Sequence, residues 1–115
     1  MPRLINKTSG ITIASEVETA DGFFARAIGL LGRSSLSPGC ALWIKDCDSV
    51  HTCFMRFAID VVFVDERMIA TKICRNLVPW RMTAPLLRRR SAFELPAGTL
   101  RSAPVERGDE LHVGD

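Results

Sequence analysis

Residues 50–65 carry the sequence feature that most constrains the fold. Two runs rich in valine, isoleucine and phenylalanine, at 50–55 and 59–64, are separated by Arg56-Phe57-Ala58. Each run has the length of a strand and is too short for a typical helix, and β-branched and aromatic residues favour strands. We therefore predict two strands with a kink or turn between them, and a strand-rich domain organised around this segment.

The remaining periodicity predicts further short strands and one clear helix. Apolar residues recur at helical spacing over residues 19–32, where Thr19 or Asp21 can cap the start and Gly32 can end the helix. Residues 76–90 lack periodicity, which predicts a long irregular loop. Further strands are predicted at residues 11–17, 40–44, 68–75, 91–95 and 110–113, a polar turn at 45–49, and a short helix begun by proline at 96–102.

These elements predict an α+β fold that is mainly β. We expect a curved, mostly antiparallel sheet or a small barrel, with one or two short helices. The length of 115 residues fits a single domain, residues 1–115, and no linker-like stretch divides it. Hydrophobic residues make up 47% of the chain, which supplies enough apolar surface for a core that needs no metal or disulfide.

Charge and apolar patterning narrow the choice of partners. The formal net charge of +2 is too small for the strongly basic face that nucleic-acid binding usually requires. No segment approaches ~20 uninterrupted apolar residues, and the amino terminus lacks the apolar run of a signal peptide. We therefore expect a soluble, cytoplasmic protein whose partners are neither nucleic acid nor membrane.

The four cysteines do not form a recognisable metal or redox motif, because no two of them are spaced as Cys-x-x-Cys. Cys40, Cys53 and Cys74 lie in apolar, strand-like runs, where a reduced cysteine packs as a small hydrophobe. Cys47, His51 and Cys53 together fall short of the four paired ligands of a structural zinc site. We predict no metal and no cofactor.

Three polar residues, His51, Arg56 and Asp60, interrupt the apolar segment and form the centre of a candidate site. Burying these groups without partners would cost several kcal/mol each, so we expect them either to pair with one another or to line a cleft. Along an unbroken strand Arg56 and Asp60 share a face, whereas a kink would let His51 approach Asp60 in a hairpin. A buried Arg56–Asp60 salt bridge with a purely structural role is the alternative.

Two further segments supply candidate binding residues. Trp80 and Arg81 combine an aromatic face with a guanidinium in the irregular stretch, which suits stacking and anion capture. The alternative role for Trp80 is to plug the open end of the sheet. Arg26, on the exposed side of the predicted helix, is a candidate for stabilising an anion. The triplet at residues 88–90 is interpreted as a solvated edge.

Five motifs in this order make the chain resemble the family known as domain of unknown function 192, over about residues 19–113. They are RAIGLLGR at 26–33, HTxxMRFxIDVVFVD at 51–65, PWR at 79–81, ELPAG at 94–98, and Gly108-Asp109. The resemblance implies a compact β-rich fold and assigns no activity. It also implies that Arg26, Arg33, His51, Arg56 and Asp60 belong to a recurring pattern. Ala58 stands where the family commonly has proline.

Three functions are compatible with these observations. The first is a binding module that holds a small anionic or polar ligand in a cleft near His51, Arg56 and Asp60, with Trp80, Arg81 and Arg26 contributing. The second is an enzyme in which Asp60 orients His51 as a general base. The third is an accessory domain that meets a protein partner through a sheet edge or through residues 76–90.

Overall fold

The structure is a computed structural model, and it describes residues 2–20, 37–47, 57–78 and 90–114. These residues form eight strands and one short helix. In chain order they are β1 (Arg3–Asn6), β2 (Ile11–Ala14), β3 (Glu16–Ala20), β4 (Cys40–Cys47), β5 (Ile59–Val64), β6 (Ala70–Leu77), β7 (Arg90–Pro96), α1 (Thr99–Ser102) and β8 (Leu111–Gly114).

The strands form two sheets. A three-stranded sheet has the order β2-β1-β8 and is antiparallel, and a five-stranded sheet has the order β3-β4-β7-β5-β6. Within the larger sheet β3 and β4 are parallel, and the other pairs are antiparallel. The predicted fold, mainly β and mostly antiparallel, is confirmed. Over the described ranges the two sheets are not closed into a barrel, so the sheet alternative is the correct one.

The strand β5 pairs with β6 and β7 along its two edges, and it is buried on both faces because all six of its residues are buried. Val62 and Val64 belong to an inter-sheet core to which both sheets contribute, including Leu4 from β1 and Leu111 from β8. On the opposite face of the larger sheet lies a second cluster of buried residues, which consists of Leu42, Ile44, Ile59, Val61, Phe63 and Ala92. A continuous apolar run is the pattern expected of such a strand.

Several predicted boundaries were wrong. Residues 11–17 form parts of two strands in different sheets, because the backbone N–H groups of Ser15 and Glu16 both donate to the carbonyl of Gly39 (2.8 and 3.1 Å) and redirect the chain. The strand β4 continues to Cys47 and so includes residues 45–47 of the predicted turn at 45–49. The helix predicted at 96–102 starts only at Thr99, since Pro96 still pairs with Ile59 at the end of β7.

Other predictions are only partly covered by the described residues. Thr19 and Ala20, placed at the start of the predicted helix 19–32, belong to β3, and the rest of that helix lies outside the described residues. The strand predicted at 50–55 also lies outside them. The strand predicted at 68–75 is observed as Ala70–Leu77, because Met68 has φ 63° and belongs to the turn that precedes it. Sequence periodicity did not predict β1.

Candidate functional site

Asp60 is the second residue of β5, and only 2% of its surface is exposed. Its cross-strand partner on β7 is Leu95, a member of the inter-sheet core. The strand begins at Ile59 after a bend at Phe57, which agrees with the predicted break at residues 56–58. The Asp60 carboxylate therefore lies in the protein interior, on a strand whose other residues are all apolar.

The Asp60 carboxylate accepts three hydrogen bonds from backbone N–H groups. Asn76 donates to Oδ1 at 2.8 Å, while Gly98 and Leu100 donate to Oδ2 at 3.1 and 3.0 Å. Asn76 and Gly98 have left-handed backbone conformations, with φ 53° and 91°. Glycine adopts this conformation without the steric cost of a Cβ atom, and asparagine tolerates it better than most residues.

These bonds give Asp60 a structural role. They join β5 to the end of β6 and to the turn that leads into α1, and they offset the cost of burying a carboxylate. A carboxylate has about four lone-pair positions, so three bonds leave room for one more donor. The hypothesis that Asp60 also orients His51 depends on that last position and stays a prediction.

Beside Asp60 lies a pocket with a volume of about 480 Å³. Arg75 and Asn76 contribute from β6, Gly98 from the turn after β7, and Arg101 from the last turn of α1. Asp60 and Ala97 complete the described lining. The side chains of Arg75, Asn76 and Arg101 are exposed, so their polar groups are accessible to a ligand.

The two guanidinium groups differ in how firmly they are held. Nη2 of Arg75 donates to the carbonyl of Val105 at 3.4 Å, which ties the side chain loosely to the segment after α1. Within the part of the chain that the structure describes, the Arg101 guanidinium has no hydrogen-bond or carboxylate partner. Both groups retain N–H donors that a ligand can use, since each guanidinium carries five.

Asp60 is the one candidate residue from the sequence that the structure describes. Arg26, His51, Arg56, Trp80 and Arg81 lie outside the described residues, as do the side chain of Cys47 and all of Cys53. The sequence did not single out Arg75, Asn76 or Arg101 as site residues. The available signal for them was weak: a polar pair at the end of an apolar strand, and an arginine shortly after the ELPAG motif.

Glu94 is a second buried acidic residue, with 4% of its surface exposed. It lies on the central strand β7, and its cross-strand neighbours, Leu42 and Val61, belong to the second cluster. Asp60 pairs with the next residue of β7, so alternation along the strand places the two carboxylates on opposite faces of the sheet. Glu94 and Asp60 therefore do not form one site.

The two described cysteine side chains behave as the sequence predicted. Cys40 and Cys74 are half-buried and neither forms a disulfide. The thiol of Cys40 lies 3.7 Å from Oε2 of Glu16 and donates to it. Burial raises the pKa of the Cys74 thiol, and the positive charge of Lys72 partly offsets this effect. A raised pKa reduces the thiolate fraction, which argues against Cys74 as a nucleophile.

The described residues include no helix that is long and apolar enough to cross a membrane.

Comparison with known proteins gives one family and several relatives. The model of domain of unknown function 192, described as "Uncharacterized ACR", matches residues 4–113. A UPF0127 protein of Pyrococcus horikoshii is 32% identical over 111 residues, which cover 94% of this chain and 96% of the relative. A UPF0127 protein of Pyrococcus furiosus is 35% identical over 111 residues, with 94% and 95% covered.

Two crystal structures share the fold. A protein of unknown function from Novosphingobium aromaticivorans has a TM-score of 0.81 and 21% identity, with 97% of this chain and 84% of that chain covered. A protein from Sinorhizobium meliloti, provisionally described as a transcription regulator, has a TM-score of 0.76 and 25% identity, with 97% and 91% covered. The fold is therefore shared along nearly the whole chain.

Proposed function

Because this chain belongs to the domain of unknown function 192 family, whose members are uncharacterised, we propose a function from its own geometry. The protein is a binding module for a small anionic molecule, which occupies the pocket beside Asp60. The observation that carries the proposal is the convergence of Arg75 and Arg101, from different elements, on one pocket. Arginine is the side chain best suited to carboxylate and phosphate groups, because its planar fork matches their oxygen atoms.

The dimensions and chemistry of the pocket support this proposal. A volume of about 480 Å³ lies within the range of small-molecule sites. Asp60 is the one acidic residue of the described lining, and its carboxylate already accepts three backbone hydrogen bonds. The described lining also contains no serine, threonine, cysteine, histidine or lysine, so it favours binding over nucleophilic catalysis.

The sequence prediction adds Arg26, His51, Arg56, Trp80 and Arg81 to the same site. We keep them in the proposal as residues that extend the binding surface beyond the described lining. Alanine variants of His51 and Arg56 test this extension. A variant that keeps its thermal stability but binds more weakly supports a role in the site, whereas one that loses stability with unchanged affinity supports a structural role.

The proposal names a small ligand as partner. The net charge of +2 and the placement of Arg75 and Arg101 in a pocket, rather than along a face, give little support to nucleic acid. The provisional description as a transcription regulator applies to the Sinorhizobium meliloti protein, and we do not extend it to this chain. We also propose a cytoplasmic location, which is compatible with the thiols of Cys40 and Cys74, since reduced cysteines persist in reducing compartments.

Removing either pocket arginine is expected to weaken anion binding. Arg75→Gln and Arg101→Gln should each raise Kd by about 10-fold or more, because a hydrogen bond to a charged group contributes ~1.5–3 kcal/mol. A thermal-shift screen of phosphates, carboxylates and nucleotides identifies the ligand class. Isothermal titration calorimetry then measures Kd for the wild type and both variants.

The matched control is Arg67→Gln. Arg67 is also exposed, but it lies in the turn between β5 and β6, at the end of the hairpin opposite to Asp60. β5 continues for four residues beyond Asp60 before it reaches that turn, a distance of roughly 14 Å. Equal affinity in the wild type and both pocket variants, or no anion bound by the wild type, would contradict the proposal.

A further inference from the structure

The side chains that line the pocket offer many more hydrogen-bond donors than acceptors. Two guanidinium groups supply ten N–H donors, of which one, on Arg75, points at the carbonyl of Val105. The amide of Asn76 adds two donors and one acceptor. Asp60 has one acceptor position left after its three backbone bonds. The complementary ligand is therefore rich in acceptor atoms and poor in donors.

The charge of the lining favours a ligand with more than one negative charge. Arg75 and Arg101 are exposed and positive, whereas Asp60 is 2% exposed and faces three N–H dipoles. A ligand in the pocket therefore meets chiefly the two guanidinium groups. A phosphate monoester carries a charge of about −1.5 to −2 at pH 7 and presents three acceptor oxygens. A single carboxylate carries one charge and presents two oxygens.

The pocket has room for more than a phosphate group. At about 480 Å³ it is far larger than the roughly 30 Å³ share of one water molecule in the liquid, and a phosphate group is only a few times larger than water. Gly98 lines the pocket without a side chain, and a Cβ atom built on it would meet no atom within 4 Å. The organic part of an ester can therefore lie against the backbone at Gly98 while the phosphate meets the arginines.

We infer that the anionic ligand of this pocket is a phosphate monoester of a small organic molecule, with the phosphate bound between Arg75 and Arg101. This inference rests on the proposed function and makes it specific. It assigns the two guanidinium groups to the phosphate and the surface at Gly98 and Ala97 to the ester's organic part.

Two sets of probes test the inference by calorimetry or NMR titration at pH 7.5. Methyl phosphate is compared with acetate, which isolates the charged group. Glucose 6-phosphate and AMP are each compared with inorganic phosphate, which isolates the organic part. We expect methyl phosphate to bind at least 10-fold more tightly than acetate, and at least one of the two esters to bind at least 10-fold more tightly than inorganic phosphate. The preference for methyl phosphate over acetate should disappear in Arg75→Gln and Arg101→Gln, and both variants should bind inorganic phosphate and the esters more weakly to a similar extent. Arg67→Gln should bind every probe as the wild type does.

The outcomes distinguish a failure of the phosphate-ester inference from a failure of the proposed anion-binding function. If acetate binds as tightly as methyl phosphate and both need the arginines, the pocket binds anions but the phosphate assignment is wrong. If inorganic phosphate binds as tightly as both esters, the site takes free phosphate and the ester assignment is wrong. If no probe binds, or binding is unchanged in both arginine variants, the proposed function itself is wrong.

Discussion

The Asp60→Ala variant is expected to lose at least about 4 kcal/mol of the free energy of unfolding, because three backbone N–H groups, one buried and two partly buried, lose a charged acceptor at once. The free energy of unfolding of a domain of this size is ~5–15 kcal/mol, so Asp60→Ala would remove a large part of the stability of the protein. The melting temperature should fall by about 10 °C or more. Urea unfolding followed by circular dichroism measures both the free energy and its change.

Two further variants test whether the loss of stability comes from the buried carboxylate. Asp60→Asn keeps the shape of the side chain, and Asp65→Ala removes a more exposed carboxylate. An asparagine keeps the shape of Asp60 but turns an NH2 group toward one of the backbone donors, so Asp60→Asn should also destabilise the protein. Asp65 accepts from the N–H groups of Arg67 and Ile69 at 2.8 and 3.0 Å, yet it is half-exposed, and water can replace it. Asp65→Ala should therefore cost only about 1 kcal/mol.

The comparison also separates two roles of Asp60. A carboxylate that only orients a catalytic histidine can be replaced with little loss of stability, whereas one that joins three chain segments cannot. If Asp60→Ala is no more destabilising than Asp65→Ala, the structural role is wrong.

Phe93→Ala is expected to cost about 3–5 kcal/mol, which is the usual range for truncating a fully buried phenylalanine. Phe93 is completely buried on the central strand β7 and pairs with Val62 of β5. Its ring stacks on Trp43 with a centroid distance of 5.3 Å and an angle of 20° between the planes. Its removal opens a cavity in the inter-sheet core, and the loss is measured by the same urea unfolding.

Ile11→Ala is the matched control for Phe93→Ala, because it also truncates a large apolar side chain. Ile11 lies on β2 and is 40% exposed. Surface substitutions of this kind usually change stability by less than about 1 kcal/mol. A Phe93→Ala variant as stable as Ile11→Ala would show that β7 does not hold the core together.

The part of the fold that follows from local pattern was predicted from the sequence. Residues 59–64 were predicted as a strand and form β5 with the same bounds. The reason is that all six side chains are buried, so the apolar run itself encodes the element. A strand following β5 and a short helix after β7 were also predicted, although the ends of β6 and of that helix were misplaced.

The errors in the prediction arise where a distant partner decides the local structure. Periodicity treated residues 11–17 as one strand, but the carbonyl of Gly39, 24 residues from Ser15, divides it. The polar residue Lys45 suggested a turn, but Lys45 belongs to β4. Its ammonium lies 4.5 Å from the ring centroid of Trp43, and this cation–π contact stabilises the lysine on the strand. The strand β1 exists because β2 and β8 flank it on both sides.

The candidate site depends even more strongly on partners that are distant in the sequence. The sequence singled out Asp60 because a charge in an apolar run needs a partner. Its three donors lie 16, 38 and 40 residues away, and they are backbone groups that carry no sequence signature. Arg75 and Arg101 become neighbours of one pocket only through these bonds and the sheet topology.

The position of β7 has a consequence for synthesis of the chain. It lies between β4 and β5, although both precede it in the sequence. Before residues 90–96 emerge from the ribosome, β3 with β4 and β5 with β6 can form only two half-sheets, each with an open edge where β7 will bind. Open edges are templates for pairing with other chains. A nascent chain halted before residue 90 is therefore more prone to aggregation than the finished protein.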